Sequence, residues 1–182
     1  RHQLPKPFHV LATQNPLEQE GTYPLPEAQL DRFFMQVNIP YPDMAAERRM
    51  LLATTGLEDT APSAVLNPDE LMGIQRLVRR MPVGESVVTA ILDLVRNGRP
   101  ENSELESVRR NVAWGPGPRA SQALMMAVRA RALIRGDFAP SIDDVAALAP
   151  PVLRHRMAVN FAARADGIAV EDIIKQLVER LS

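Results

Sequence analysis

The chain has 182 residues, 46% hydrophobic and 24% charged, with 21 Lys and Arg against 22 Asp and Glu for a net charge of −1. That composition suffices for one domain, or one domain and part of another, with a sizeable core, and it excludes wholesale disorder. The absence of cysteine excludes disulfides and thiolate zinc sites, and the near-zero charge removes the simplest argument for a nucleic-acid binder.

Seven of the 16 prolines fall within the first 42 residues, so the N-terminal quarter differs in kind from the rest. Phe8 to Thr13 is a short apolar run between prolines and Asn15-Pro16, which reads as a buried strand ending in a turn. Polar loop follows to Pro26, then a short helix over 26–33 with proline in its first turn. Met35, Val37 and Ile39 alternate with Gln36, Asn38 and Pro40, the mark of a second strand. Two strands and a helix make no stable sheet, so this piece calls for strand partners that the sequence does not contain.

From Asp43 the period becomes helical. Asp43 caps a helix that stops near Gly56. Asn67-Pro68-Asp69-Glu70 is a capping box with proline at the first position, opening a helix whose face carries Leu71, Ile74, Leu77 and Val78. A further helix from about Glu85 buries Val88, Ile91, Leu92 and Val95 and ends at Asn97-Gly98. Residues 99–112 read as loop or a marginal helix. The strongest helix runs from Ala120 to Ile134, stopped by Gly136. Ser141 opens a short helix to Leu148, another spans Val152 to Val159 beyond Pro150-Pro151, and the last runs from Val170 to Leu181. The longest apolar run, 123–128, is far short of the ~20 residues of a membrane span, and no signal-peptide pattern opens the chain. The expectation is a soluble, cytoplasmic protein.

Three polar positions carry chemistry. Asn15 follows a strand end, where open α/β sheets bind ligands, but from local features alone an Asn-Pro turn that merely ends the strand is the favoured reading. Arg32 precedes an apolar strand and sits beside Asp31, the usual setting of a surface ion pair. Arg119 follows the tight turn Trp114-Gly115-Pro116-Gly117-Pro118 and falls in the first turn of a helix, where the macrodipole disfavours a cation. Such an arginine is paired with an acidic side chain or awaits a phosphate. The three histidines, His2, His9 and His155, are too few and scattered for a metal cage. His155, between Arg154 and Arg156, reads as a solvated or capping residue rather than a catalytic base. The clusters Arg76, Arg79, Arg80 and Arg129, Arg131, Arg135 read as solvated or salt-bridged faces.

Pro7 to Phe33, PFHVLATQNPLEQEGTYPLPEAQLDRF, resembles the segment after Walker B in MoxR-type AAA+ ATPases. Trp114 to Ala120 is similar to that family's G-x-S-P-R-A sensor-2 motif, with Pro116-Gly117 where the family usually has Ala-Ser. Asp143-Asp144-Val145 and the run from Ala149 to Met157 resemble the family's lid. No G-x-x-x-x-G-K-[ST] and no apolar run ending in Asp-Glu occurs in these 182 residues.

The resemblance implies a mostly α fold: residues 1–42 as the C-terminal piece of an α/β nucleotide-binding core, and 43–182 as an all-helical lid. It implies that Asn15 is the sensor-1 residue, Arg32 an arginine finger reaching a neighbouring subunit's ATP, and Arg119 the sensor-2 arginine. It further implies a parent that hydrolyses ATP with Mg²⁺ bound mainly by other residues, as a homo-oligomeric, hexameric ring. Its clients would be metalloenzymes or von Willebrand A-domain proteins, remodelled or loaded with metal cofactor, with no membrane or nucleic-acid partner. The chain alone is expected to be inactive. Another AAA+ lid, from a chelatase-like or DNA-acting machine, and a stand-alone helical module remain alternatives.

Overall fold

The computed structural model describes residues 3–14, 25–56 and 62–181. Within them, helices α1 (Glu27–Leu30), α2 (Met44–Thr54), α3 (Pro68–Arg80), α4 (Glu85–Asn97) and α5 (Glu106–Asn111) precede a strand, β1 (Val112–Trp114). Helices α6 (Pro118–Arg135) and α7 (Ile142–Leu153), strand β2 (Ala158–Val159), α8 (Phe161–Ala165) and α9 (Val170–Glu179) complete the chain. The fold is mostly α, as expected, but its helical part is not purely helical: β1 and β2 form an antiparallel pair, Val112 opposite Val159 and Trp114 opposite Ala158.

Helix starts follow local chemistry. The Asp43 carboxylate accepts the Ala46 amide at 2.7 Å. Asn67 accepts from the Glu70 amide at 2.9 Å while the Glu70 carboxylate takes the Asn67 amide at 2.8 Å, so two orphan donors are satisfied reciprocally. Ser141 and Asp144 repeat the device at α7. Gly136, at φ +80, ends α6 in the left-handed conformation that glycine adopts without strain.

The core lies between α4, α6, α7 and α9. Ile91, Leu94 and Val95 from α4 meet Leu124 and Val128 from α6, Val145, Val152 and Leu153 from α7, and Ile173, Ile174 and Leu177 from α9. The buried face of α4 is Val87, Ala90, Ile91, Leu94 and Val95, one position round from the expected stripe, and Leu92 is left 47% exposed. On α3 only Val78 is buried, while Ile74 and Leu77 stay exposed, so the expected apolar stripe is not covered.

Helix α7 runs unbroken through Pro150 and Pro151, where two separate helices were expected. The two prolines remove two ladder hydrogen bonds. Ala149, Val152 and Leu153 are all fully buried in the core, so packing outweighs that loss. The stretch expected to continue helically to Val159 turns instead into β2.

Neither expected N-terminal strand forms. Phe8, Val10 and Leu11 are 56%, 62% and 97% exposed, and Val37 and Ile39 are 67% and 90% exposed. A strand exists only in a ladder, and no described segment lies alongside either run to supply one. The segment after α1 is nonetheless tied to α7, because the Gln36 amide donates to the Pro151 carbonyl at 2.8 Å.

Candidate functional site

The site grows from the turn that ends α1. Backbone bonds from Arg32 to Gln29 (3.1 Å) and from Phe33 to Leu30 (3.0 Å) close that turn. The closed turn places Asp31 toward the end of α7 and Arg32 toward solvent. Across from it stands Arg156, between α7 and β2, with its side chain only 2% exposed. Its Nε donates to Asp31 Oδ1 at 3.2 Å. Its terminal nitrogens donate to the carbonyls of Asp31 and Phe34, each at 3.2 Å, of Phe33, and of Val152 at 2.6 Å. Burial lowers the Arg156 pKa from its ordinary value, and the Asp31 carboxylate opposes that shift. A guanidinium suits this place because its planar fork spans several acceptors at once, which a lysine cannot do.

Arg119 approaches the same carboxylate from the other side, Nη1 donating to Asp31 Oδ2 at 3.1 Å, with its side chain 54% exposed. The first turn of α6 contains no acidic residue. Of the two partners allowed for a cation at this helix end, the structure supplies the acidic one. The preceding turn is held by close packing. A Cβ on Gly115 would lie 2.4 Å from the Gly98 carbonyl oxygen, so only glycine fits there. Arg99 Nε donates to the Pro116 carbonyl at 2.8 Å, pinning the loop to the end of α4.

His155 is buried, not solvated, and its Nε2 lies 3.2 Å from the Phe33 carbonyl, to which the neutral ring donates. Burial first, and then the charge of Arg156, lower its pKa below the usual value. It braces the turn, and its Nδ1 is buried with no hydrogen-bond partner among the described residues.

The structure brings Arg119 and the turn bearing Arg32 together through Asp31. Arg32 itself is exposed, with no carboxylate within 4.0 Å among the described residues. Asn15 lies outside the described residues. Sequence reasoning missed Asp31 and Arg156, because their partnership spans 125 positions of chain. The one local signal was the polar trio Arg154-His155-Arg156 within an otherwise apolar run, Val152 to Val159. Of the arginine clusters, Arg131 and Arg135 both pair with Asp144, whose carboxylate is 2% exposed. Burial raises the Asp144 pKa, but hydrogen bonds from Ser141 and Arg131 and the charge of Arg135 outweigh it, and the net shift is downward.

Among the described residues no three His, Cys, Asp or Glu side chains gather to hold a metal ion, and the Asp31 carboxylate is already paired with Arg156 and Arg119. The solvent-facing guanidinium groups of Arg32 and Arg119 fit a polyanion. Among the described residues no helix is long and apolar enough to cross a membrane.

Residues 1–35 match the ATPase family associated with various cellular activities (AAA), and residues 105–177 match the AAA lid domain. The chain is 36% identical over 180 residues to Chaperone MoxR1 of Mycobacterium tuberculosis, covering 98% of this chain and 48% of that protein. It is 37% identical to the uncharacterized protein YeaC of Bacillus subtilis, covering 97% and 53%. A crystal structure of a candidate ATPase from Cytophaga hutchinsonii superposes with a TM-score of 0.91 at 32% identity, over 98% of this chain and 55% of that one. The chain thus spans about half the length of the curated relatives it matches. Two domain matches in the right order, relatives aligned along nearly the whole chain and a shared fold lead to one assignment: the chain belongs to the MoxR-type AAA+ ATPases and corresponds to their C-terminal portion.

Proposed function

We propose that this chain is the sensor and lid portion of a ring-forming, cytoplasmic machine that hydrolyses ATP to remodel client proteins. The observation that carries the reading is the arrangement about Asp31. Buried Arg156 moors the turn, and Arg32 and Arg119 leave it as solvent-facing cations on either side. Mg²⁺, bound when present by residues other than those described, would neutralise part of the triphosphate charge. Arg32 acts as the arginine finger, stabilising charge on the transferring phosphoryl group of a neighbouring subunit's ATP, an effect worth roughly 10³–10⁵ in rate. Arg119 grips the nucleotide and reports its state to the lid through α6. Asn15, by the resemblance of its motif, orients the attacking water.

The residues divide the labour. The 182 positions hold no phosphate loop and no apolar run ending in Asp-Glu, so this stretch alone binds nucleotide weakly and does not turn it over. Naming of the M. tuberculosis relative as a chaperone supports client remodelling. Metalloenzymes or von Willebrand A-domain proteins as clients, and a hexameric ring, follow from the family resemblance.

The test is Arg32→Ala in the full-length ATPase. Turnover should fall by at least 10³ while nucleotide still binds, and mutant subunits should poison mixed rings. Mixed rings whose activity tracks only the wild-type fraction would refute a role in the neighbouring site.

A further inference from the structure

We infer that Asp31 is a positioning residue that stands in for the phosphate, holding Arg119 in reserve and yielding it when a triphosphate arrives. This rests on the proposed role of Arg119 as a nucleotide contact, and it concerns what that arginine does before the nucleotide is there.

Asp31 serves two arginines that differ in every respect that governs exchange. Arg156 is 2% exposed and tied by four backbone carbonyls besides the carboxylate, so it cannot leave without orphaning a set of buried groups. Arg119 is 54% exposed, and Asp31 is its one ion-pair partner among the described residues. One oxygen of the carboxylate is therefore bound permanently and the other by a weak, solvent-accessible pair. A triphosphate carries several negative charges where Asp31 carries one, so it wins Arg119 outright when it comes within reach.

The mooring determines what happens next. Arg156 holds the turn chiefly by the carbonyls of Asp31, Phe33 and Phe34, not by the carboxylate alone. Departure of Arg119 therefore leaves Arg32 where it was. The same contact that detains Arg119 when no nucleotide is bound also ties the start of α6 to the α1 turn, and nucleotide unties it. Asp31 thus opposes binding slightly and couples lid freedom to occupancy.

The experiment is a double-mutant cycle in the full-length ATPase, with affinity for mant-AMP-PNP read by fluorescence titration. Arg119→Gln should weaken binding, which tests the role of Arg119 itself. Asp31→Asn keeps an oxygen for Arg156 but removes the charge that detains Arg119, and should tighten binding roughly two- to fivefold. In the Arg119→Gln background the same change should have no effect. Should Asp31→Asn lose its cooperative thermal melt, Asp31→Ser takes its place in the cycle. Weakened or unchanged binding on removal of the charge, with Arg119→Gln still weakening it, overturns the inference and leaves the proposed function standing. No effect from Arg119→Gln removes both.

Discussion

Replacing Arg156 by methionine keeps an unbranched apolar stem and removes the guanidinium, so it isolates the mooring of the α1 turn. In the wild-type chain the guanidinium makes one ion pair to Asp31 and bonds to the carbonyls of Asp31, Phe33, Phe34 and Val152 from a site that is 2% exposed. Deleting one partner of a buried pair costs about 3–5 kcal/mol. Here Asp31 is 24% exposed and retains Arg119, so the lower end of that range, about 3 kcal/mol, applies. The loss should be local. Residues 30–36 put few side chains into the core, and the turn can lift off and hydrate its carbonyls while α4, α6, α7 and α9 stay packed. The reporter is the Gln36 amide, which donates across to Pro151. Its hydrogen exchange should accelerate by about two decades, while amides inside α6, such as those of Leu124 and Val128, keep their protection. Unchanged exchange at Gln36 would show that something other than Arg156 holds the turn. Equal acceleration at Gln36 and in α6 would show that Arg156 supports the whole fold and not this one contact.

Gly115→Ala should lower stability by about 1–3 kcal/mol, because its Cβ meets the Gly98 carbonyl at 2.4 Å, whereas Gly117→Ala meets nothing within 4 Å and should be nearly neutral. Denaturant titrations that cost the two variants equally would refute the close-packed turn. The His155 pKa is lowered in the folded chain, so the folded state binds fewer protons there than the unfolded one. Its contribution to stability is full above the ordinary value of about 6.5 and declines as pH falls below it. His155→Gln should melt with less pH dependence between pH 7 and 5 than wild type, and parallel curves would contradict the assignment.

Much of the helical framework is legible residue by residue. The Asn67–Glu70 box, the Asp43 cap and the Gly136 stop each depend on chemistry within four positions, and each appears where the spacing puts it. What failed depends on distant partners. Whether α4 buries Leu92 or Leu94 is decided by where α6 and α9 lie, and the helix crosses Pro150-Pro151 because Val152 and Leu153 have a core to fill. The strands expected at 8–13 and 35–39 have the right alternation but no ladder beside them among the described residues. At the site, Arg32 and Arg119 stood out through local oddity. Arg156 looked like one more cation in Arg154-His155-Arg156, and its meaning lies in carbonyls more than 120 positions away.

The short β1–β2 ladder closes the stretch from Val112 to Val159 on itself. Both ends are further clamped by Asn160, which donates to the Asn111 and Arg110 carbonyls at 2.7 and 2.6 Å. Arg119 lies just inside one end of this stretch and Arg156 just inside the other. Entry and exit are side by side, so the segment has the geometry of a cassette. It could be exchanged between relatives at a single two-strand seam, and the pair of arginines would travel together, already spaced to receive one aspartate.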